Sequence, residues 1–246
     1  MTLWAALKAQ KLGYSDDLFA QLAAEKLNGG RMPRNTIAIP HGKGTFKATA
    51  EGKNVVWQYG SQEIHGNTCE FTVTEDNAQI LVSFDGLLTK FENKSDAQTL
   101  LDLSDLGGLA TNYLNLYNCS NVTGDLSALG GRITHYLGLY NCSKITGSLS
   151  DLGGKVTYWL NLGGCRNVTG VYSGDSYPTS VNLSNTGLTA ADMDQTLINF
   201  NAGATSAGTF TAKSMTRTAA SDDAVAGLIS RGWTVTGLTK LEEAGT

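Results

Sequence analysis

Proline is nearly missing from this chain, 3 in 246 residues, whereas glycine reaches 29. That balance excludes a stiff proline-rich linker and suits many tight turns. Charge is thin as well: only 16 % of residues are charged, the net charge is −4, and the 18 lysines and arginines are scattered. A nucleic-acid surface needs a clustered basic stripe, so no nucleic-acid partner is expected. No apolar run approaches the ~18 residues of a membrane-spanning helix, so no membrane span is expected. The segment Met1-Thr-Leu-Trp-Ala-Ala-Leu-Lys-Ala-Gln-Lys11 is interrupted by charge before the apolar stretch of a secretory leader could form. Taken as a true start, it implies synthesis in the cytosol and release by lysis or assembly. Catalytic signatures are missing too: there is no Gly-x-Ser-x-Gly, no phosphate-binding loop, no Gly-x-Gly-x-x-Gly after a strand and no His-Glu-x-x-His. Neither an enzyme nor a cofactor is expected. The four cysteines, Cys69, Cys119, Cys142 and Cys165, lie far outside metal-ligand spacing, so no metal site is expected and each reads as a small buried hydrophobe. His41 and His65, with no Cys or Asp at ligand spacing, read as solvated turn residues.

What the chain does have is repetition. Tyr113-Leu-Asn-Leu-Tyr-Asn-Cys-Ser-Asn-Val-Thr-Gly124 returns as Tyr136-Leu-Gly-Leu-Tyr-Asn-Cys-Ser-Lys-Ile-Thr-Gly147 and again as Trp159-Leu-Asn-Leu-Gly-Gly-Cys-Arg-Asn-Val-Thr-Gly170, at a step of 23 residues. The linking text repeats with it: Leu103-Ser-Asp-Leu-Gly-Gly108, Leu126-Ser-Ala-Leu-Gly-Gly131, Leu149-Ser-Asp-Leu-Gly-Gly154. A fixed period of this size implies stacked units, because one unit cannot bury its own apolar face. A degenerate half-unit over 88–101 leads in, and Ser180-Val-Asn-Leu-Ser184 follows as a fourth strand with Asn182 aligned on Asn161.

The pattern Leu-x-Leu-x-x-Cys-x-x-Val/Ile-Thr at 114–123, 137–146 and 160–169 resembles the cysteine-containing class of leucine-rich repeat. It departs from that class in its shorter unit and in the glycine after threonine. So short a unit leaves no room for a long helix opposite the strand, and turns or a single 3₁₀ stretch are expected there. The resemblance implies a parallel sheet with alternate residues inward and outward. Leu114 and Leu116, with their counterparts at 137, 139, 160 and 162, then face the core. On the concave face stand the columns Tyr113–Tyr136–Trp159, Asn115–Gly138–Asn161–Asn182 and Tyr117–Tyr140–Gly163–Ser184, with His135 and Tyr158 at the rim.

The flanks differ in pattern. Residues 2–12 and 16–28 read as an amphipathic helical hairpin whose apolar stripes include Leu3, Trp4, Leu7, Phe19 and Leu22. Residues 35–90 alternate as five short strands at 36–39, 44–49, 54–59, 68–74 and 79–84, parted by turns that include Glu51-Gly52 and His65-Gly66, a small sandwich or barrel-like module. Thr189 is placed to cap a helix over 190–200. Ser221 is placed to cap a second over 221–231, between strands at 208–213 and 233–236. The expected fold is therefore α+β: a helical docking hairpin (1–32), a small β-rich module (33–87), a short leucine-rich-repeat solenoid (88–200) and a C-terminal capping unit (201–246).

Aromatic rings beside amides suit a sugar ring or a protein loop. The expected binding residues are Tyr113, Asn115, Tyr117, His135, Tyr136, Tyr140, Tyr158, Trp159, Asn161 and Asn182. The repeat and the closing Ser221-Asp-Asp-Ala…Gly232-Trp-Thr-Val-Thr236 unit also resemble repeat-bearing appendage proteins of phages and prophages. That resemblance implies a virion tail or head fibre that contacts a host-surface glycan or protein. It would dock on other virion subunits through the N-terminal helices, with homo-oligomers open. The alternative is a bacterial cell-surface or secreted adhesin.

Overall fold

The computed structural model describes residues 34–106 and 110–242. The helical hairpin expected at 1–32, with Leu3, Trp4, Leu7, Phe19 and Leu22, lies outside the described residues. The rest is a mixed α+β fold, rich in strands and poor in helix.

The first part is antiparallel: β1 (Arg34–His41), β2 (Gly44–Tyr59), β3 (Gln62–His65), β4 (Thr68–Val73) and β5 (Ala78–Glu92). Alternation buries one face, as in Phe46, Ala48 and Ala50 of β2 and Ile80, Val82 and Phe84 of β5. Two strands expected at 44–49 and 54–59 are one strand of 16 residues. The turn expected at Glu51-Gly52 is instead an irregularity inside β2, whose register on β5 shifts between Glu51 and Val56. Gly52 is needed there, since a Cβ would lie 2.9 Å from Leu88 Cδ2.

β5 joins two architectures. Its first half pairs antiparallel with β1 and β2; its last residues pair antiparallel with β2 on one side and parallel with β6 (Ala110–Asn115) on the other, in the register Lys90↔Tyr113, Phe91↔Leu114, Glu92↔Asn115. The strand continues across position 87–88, and the strands of the β-rich segment belong to one eleven-stranded sheet with those that follow. The degenerate half-unit has Phe91 where later rungs have leucine.

From β6 the sheet continues, all parallel, through β7 (Tyr136–Gly138), β9 (Trp159–Asn161) and β11 (Ser180–Asn182) to β12 (Thr209–Arg217) and β13 (Thr234–Lys240). Equivalent repeat positions are direct neighbours: Tyr113↔Tyr136↔Trp159↔Ser180 and Leu114↔Leu137↔Leu160↔Val181. Each rung buries the same set; the second contributes Leu137, Leu139, Cys142, Ile145, Leu149 and Leu152. Each fully buried leucine contributes about 1.5–3 kcal/mol. Opposite the strands, 3₁₀ turns cover Leu103–Leu106, Leu126–Leu129 and Leu149–Leu152, as the short unit requires. A second, two-stranded sheet pairs β8 (Thr146–Ser148) with β10 (Asn167–Thr169).

The residue that turns each rung out of its strand has a backbone role, and in two rungs it is the asparagine before the repeat cysteine. Asn118, Asn141 and Asn185 adopt φ of +61°, +59° and +51°, a left-handed conformation that asparagine tolerates, and Gly164 takes it in the third rung. Asn141 Nδ2 donates to Asn118 Oδ1 at 2.9 Å, so the side chains form a ladder of their own.

At the far end, α1 (Ala190–Gly203) starts at a capping box in which Thr189 and Asp192 exchange hydrogen bonds. The second helix, α2 (Asp222–Ser230), follows a 3₁₀ turn at Ala219–Ser221. Ser221 occupies the cap position but does not cap. Its hydroxyl donates instead to buried Asp194 Oδ1 at 2.6 Å, while Thr218 donates to the same carboxylate through both its amide and its hydroxyl. The bond donated to the carboxylate fixes the hydroxyl toward Asp194, and its oxygen accepts from no helix N–H.

Candidate functional site

The face opposite the leucines is where the repeat leaves chemistry free, and there the aromatic side chains stack along the ladder. Tyr113 and Tyr136 lie with ring centroids 4.2 Å apart and planes at 14°. Tyr136 and Trp159 lie 5.8 Å apart at 9°. Tyr117 stacks on Tyr140 at 4.7 Å, and His135 on Tyr158 at 4.9 Å. Parallel strands set neighbours ~4.8 Å apart, which is the spacing of stacked rings. Tyr113, Tyr136, Trp159, Tyr117 and Tyr140 are consequently half-buried by their own neighbours, while the rim pair His135 and Tyr158 is exposed. Tyr158, at 48 % exposure, is the most open of these tyrosines.

The first column has two unlike ends. At its start, Lys90 Nζ sits 5.1 Å from the Tyr113 ring centroid, a cation–π cap on the stack, and also pairs with Glu51 at 3.4 Å. Glu92 Oε2 accepts from the Tyr113 hydroxyl at 3.0 Å and from Asn115 Nδ2 at 3.3 Å, and Lys94 reaches Oε1 at 3.1 Å. Burial works to raise the Glu92 carboxyl, but the hydrogen bonds from Lys94 and Tyr113 and the nearby lysine charges outweigh it. The group is held below its ordinary range. Burial, with Glu92 beside it, pushes the Tyr113 phenol up, and burial does the same to Tyr136. At the other end, the position after Trp159 is Ser180, too short to stack.

The asparagine column is more occupied than its outward position implies. Asn115 and Asn161 are 3 % and 6 % exposed, and Asn182 is half-buried. Their Oδ1 atoms accept from the amides of Tyr117, Gly163 and Ser184 at 3.2, 3.2 and 3.0 Å, turning the chain at the strand end. Aromatic rings lean over Gly138 in this column and over Gly163 in the next. A Cβ at Gly138 would lie 2.8 Å from Tyr136 Cε1, and one at Gly163 would lie 2.9 Å from Tyr140 Cδ2. At both positions the space a side chain would need is held by a ring together with an asparagine amide, Asn115 Oδ1 and Asn182 Nδ2 each lying 2.8 Å from the Cβ position.

Lys90 and Glu92 do not figure in the repeat as read from Tyr113 onward. Stepping back 23 residues from Tyr113 and Asn115 reaches both, so the signal was present in the period. His41 is not a solvated turn residue. It ends β1, is fully buried, meets Phe46 edge-on at 5.3 Å, and its Nε2 lies 3.0 and 3.1 Å from the two Asp96 carboxylate oxygens. Asp96 comes from the loop after β5, so only the folded chain brings the pair together. His65 is exposed and pairs with Glu63 at 2.7 Å. The repeat cysteines are buried, and the thiols of Cys142 and Cys165 donate to the carbonyls of Leu116 and Leu139 on the preceding rung. Burial pushes the Cys119 and Cys165 thiols up to about 12, far from a reactive thiolate.

Among the described residues no cluster of His, Cys, Asp or Glu could hold a metal ion, and no helix is long and apolar enough to cross a membrane. Compared with family models, with curated proteins and with solved structures, the chain matches none. The site is therefore interpreted from its own geometry.

Proposed function

We propose that this chain is a non-enzymatic binding protein. Its parallel ladder is a short leucine-rich-repeat solenoid of the cysteine-containing type, and its outer aromatic face contacts a host-surface glycan or protein. The observation that carries this reading is the set of three stacked aromatic columns outside the leucine core. Stacking holds the rings in place before a partner arrives, so little side-chain entropy is lost on binding. The solenoid reading is supported by the strict pairing of equivalent residues, the 3₁₀ turn in each unit and the recurring buried cysteine.

The setting we propose is a bacteriophage virion appendage, a tail or head fibre or decoration protein. The sequence resemblance of the repeats and of the closing unit supports it. A bacterial surface adhesin is the alternative, since the same face would serve there.

The test is the double variant Tyr136→Ala/Trp159→Ala. Binding to host cells is expected to fall at least about tenfold, with the circular dichroism spectrum retained. Unchanged binding by the folded variant overturns the reading.

A further inference from the structure

We infer that the open end of the first aromatic column is a subsite for an uncharged sugar chain, with one pyranose ring laid on the outer face of Trp159 and the chain continuing across the last three strands. This rests on the binding face proposed above and names its ligand class.

The asymmetry of the column carries the inference. One terminal face, that of Tyr113, is already taken by the Lys90 ammonium. The inner faces are taken ring against ring. The outer face of Trp159 looks toward Ser180, then Thr209 and Thr234, which follow in strict register. No aromatic residue continues the stack. Trp159 Nε1 is buried without a hydrogen-bond partner, so packing against its neighbours, and no hydrogen bond, sets the orientation of the indole.

The surface beyond Trp159 also has the chemistry of a sugar-binding floor. Ser180 and Thr209 touch hydroxyl to hydroxyl at 3.3 Å, and Thr211 meets Thr236 at 3.5 Å in the next column, beside the Asn182 amide. Hydroxyls and amides both give and accept hydrogen bonds, which matches vicinal sugar hydroxyls. Charges gather at the opposite end, at Glu51, Lys90, Glu92 and Lys94. On the last four rungs of the three columns, Lys213 is the one charged residue. A polyanion would find no cationic row there, and a neutral pyranose finds an apolar face followed by a hydroxyl floor.

The experiment is titration calorimetry of the full chain with cellohexaose, maltohexaose and chitohexaose, and with a heparin hexasaccharide as the charged probe. At least one neutral hexasaccharide is expected to bind. Trp159→Ala is expected to weaken it about tenfold or more. Ser180→Phe, which fills the open face with a protein ring, should do the same, while Ser180→Thr stays within about twofold. Circular dichroism checks that each variant folds. Three results overturn the inference: no neutral probe binding at millimolar concentration, tighter binding of the heparin probe, or unchanged affinity in folded Ser180→Phe. If the chain still binds host cells through Tyr136 and Trp159 while any of these holds, the binding-face reading stands and the partner is a protein or a charged glycan.

Discussion

The antiparallel part and the three repeat rungs on β6, β7 and β9 share one sheet yet put their aromatic residues in opposite places. In the antiparallel part Phe46, Trp57, Phe71 and Phe84 are buried. In the repeat rungs the interior holds leucine, valine, isoleucine and cysteine, and the rings of Tyr113, Tyr117, Tyr136, Tyr140 and Trp159 stand outside, half-buried against one another; buried rings return only at the far end, with Tyr172, Phe200 and Phe210. A rung only one strand thick must accept the same volume as the rungs above and below it, which favours small aliphatic side chains and a thiol at the corner. An antiparallel hairpin faces no such repeat and can fill an irregular interior with large rings. Packing alone accounts for where the rings go in the first region. In the second the rings are surplus to the core, which is why the binding face is sought there.

The largest expected effect comes from the strand the two regions share. Phe84→Ala should cost about 3–5 kcal/mol in chemical denaturation. Because β5 belongs to both regions, fluorescence and circular dichroism should still report one coincident transition. Two separated transitions would show that the sheet is continuous but its stability is not. Next in size, Gly138→Val forces a branched side chain into the space of the Tyr136 ring and should destabilise by about 1–3 kcal/mol while also weakening partner binding. A stability loss with unchanged binding would mean that the ring's lean over Gly138 serves packing only.

A third expectation concerns reactivity rather than stability. The four thiols should resist a disulfide-exchange reagent at pH 8 in the native protein and all react after unfolding, since burial pushes Cys69, Cys119 and Cys165 up to about 12. Fast labelling of one native thiol would show a rung that opens locally. The smallest effect is electrostatic. The Glu92 carboxyl is held below its ordinary value of 4.5 in the folded chain, so its contribution is present above that value and is lost as pH falls through the folded one. Partial exposure and solvent screening limit it to about 0.5 kcal/mol or less. Glu92→Gln should therefore be slightly less stable than the parent at pH 7, with the difference shrinking as pH falls below 4.5, as read from parallel denaturation curves.

Much of the ladder was legible in the residues. The period placed Tyr136 beside Tyr113 and Trp159 beside Tyr136, and it aligned Asn182 on Asn161 despite a shorter step. Unit length limited the opposite side to 3₁₀ turns, and Thr189 marked the start of α1. Less was legible where partners are distant in sequence. Glu51-Gly52 has the composition of a turn, but pairing on β5 kept the chain extended through it. Gln62–His65 carries too little apolar alternation to announce a strand, and it forms one by pairing with β2. His41 has no local reason to be buried; Asp96 and Phe46 supply it. Asn115 and Asn161 were expected to be free on the outer face; both are buried, and their side chains accept from backbone amides at the strand ends.

Read alone, then, the sequence determined which residues share a column, because a repeat written at a constant step must stack in register once its leucines are buried. The tertiary structure decided what those columns become. Only in three dimensions does Lys90 cap one end of the aromatic stack while Ser180 leaves the other end open, and only there does β5 merge the two regions into one sheet. Periodicity is a local property of the chain. The ends of a stack, and the neighbours that close or leave them open, are set by contacts between strands far apart in sequence.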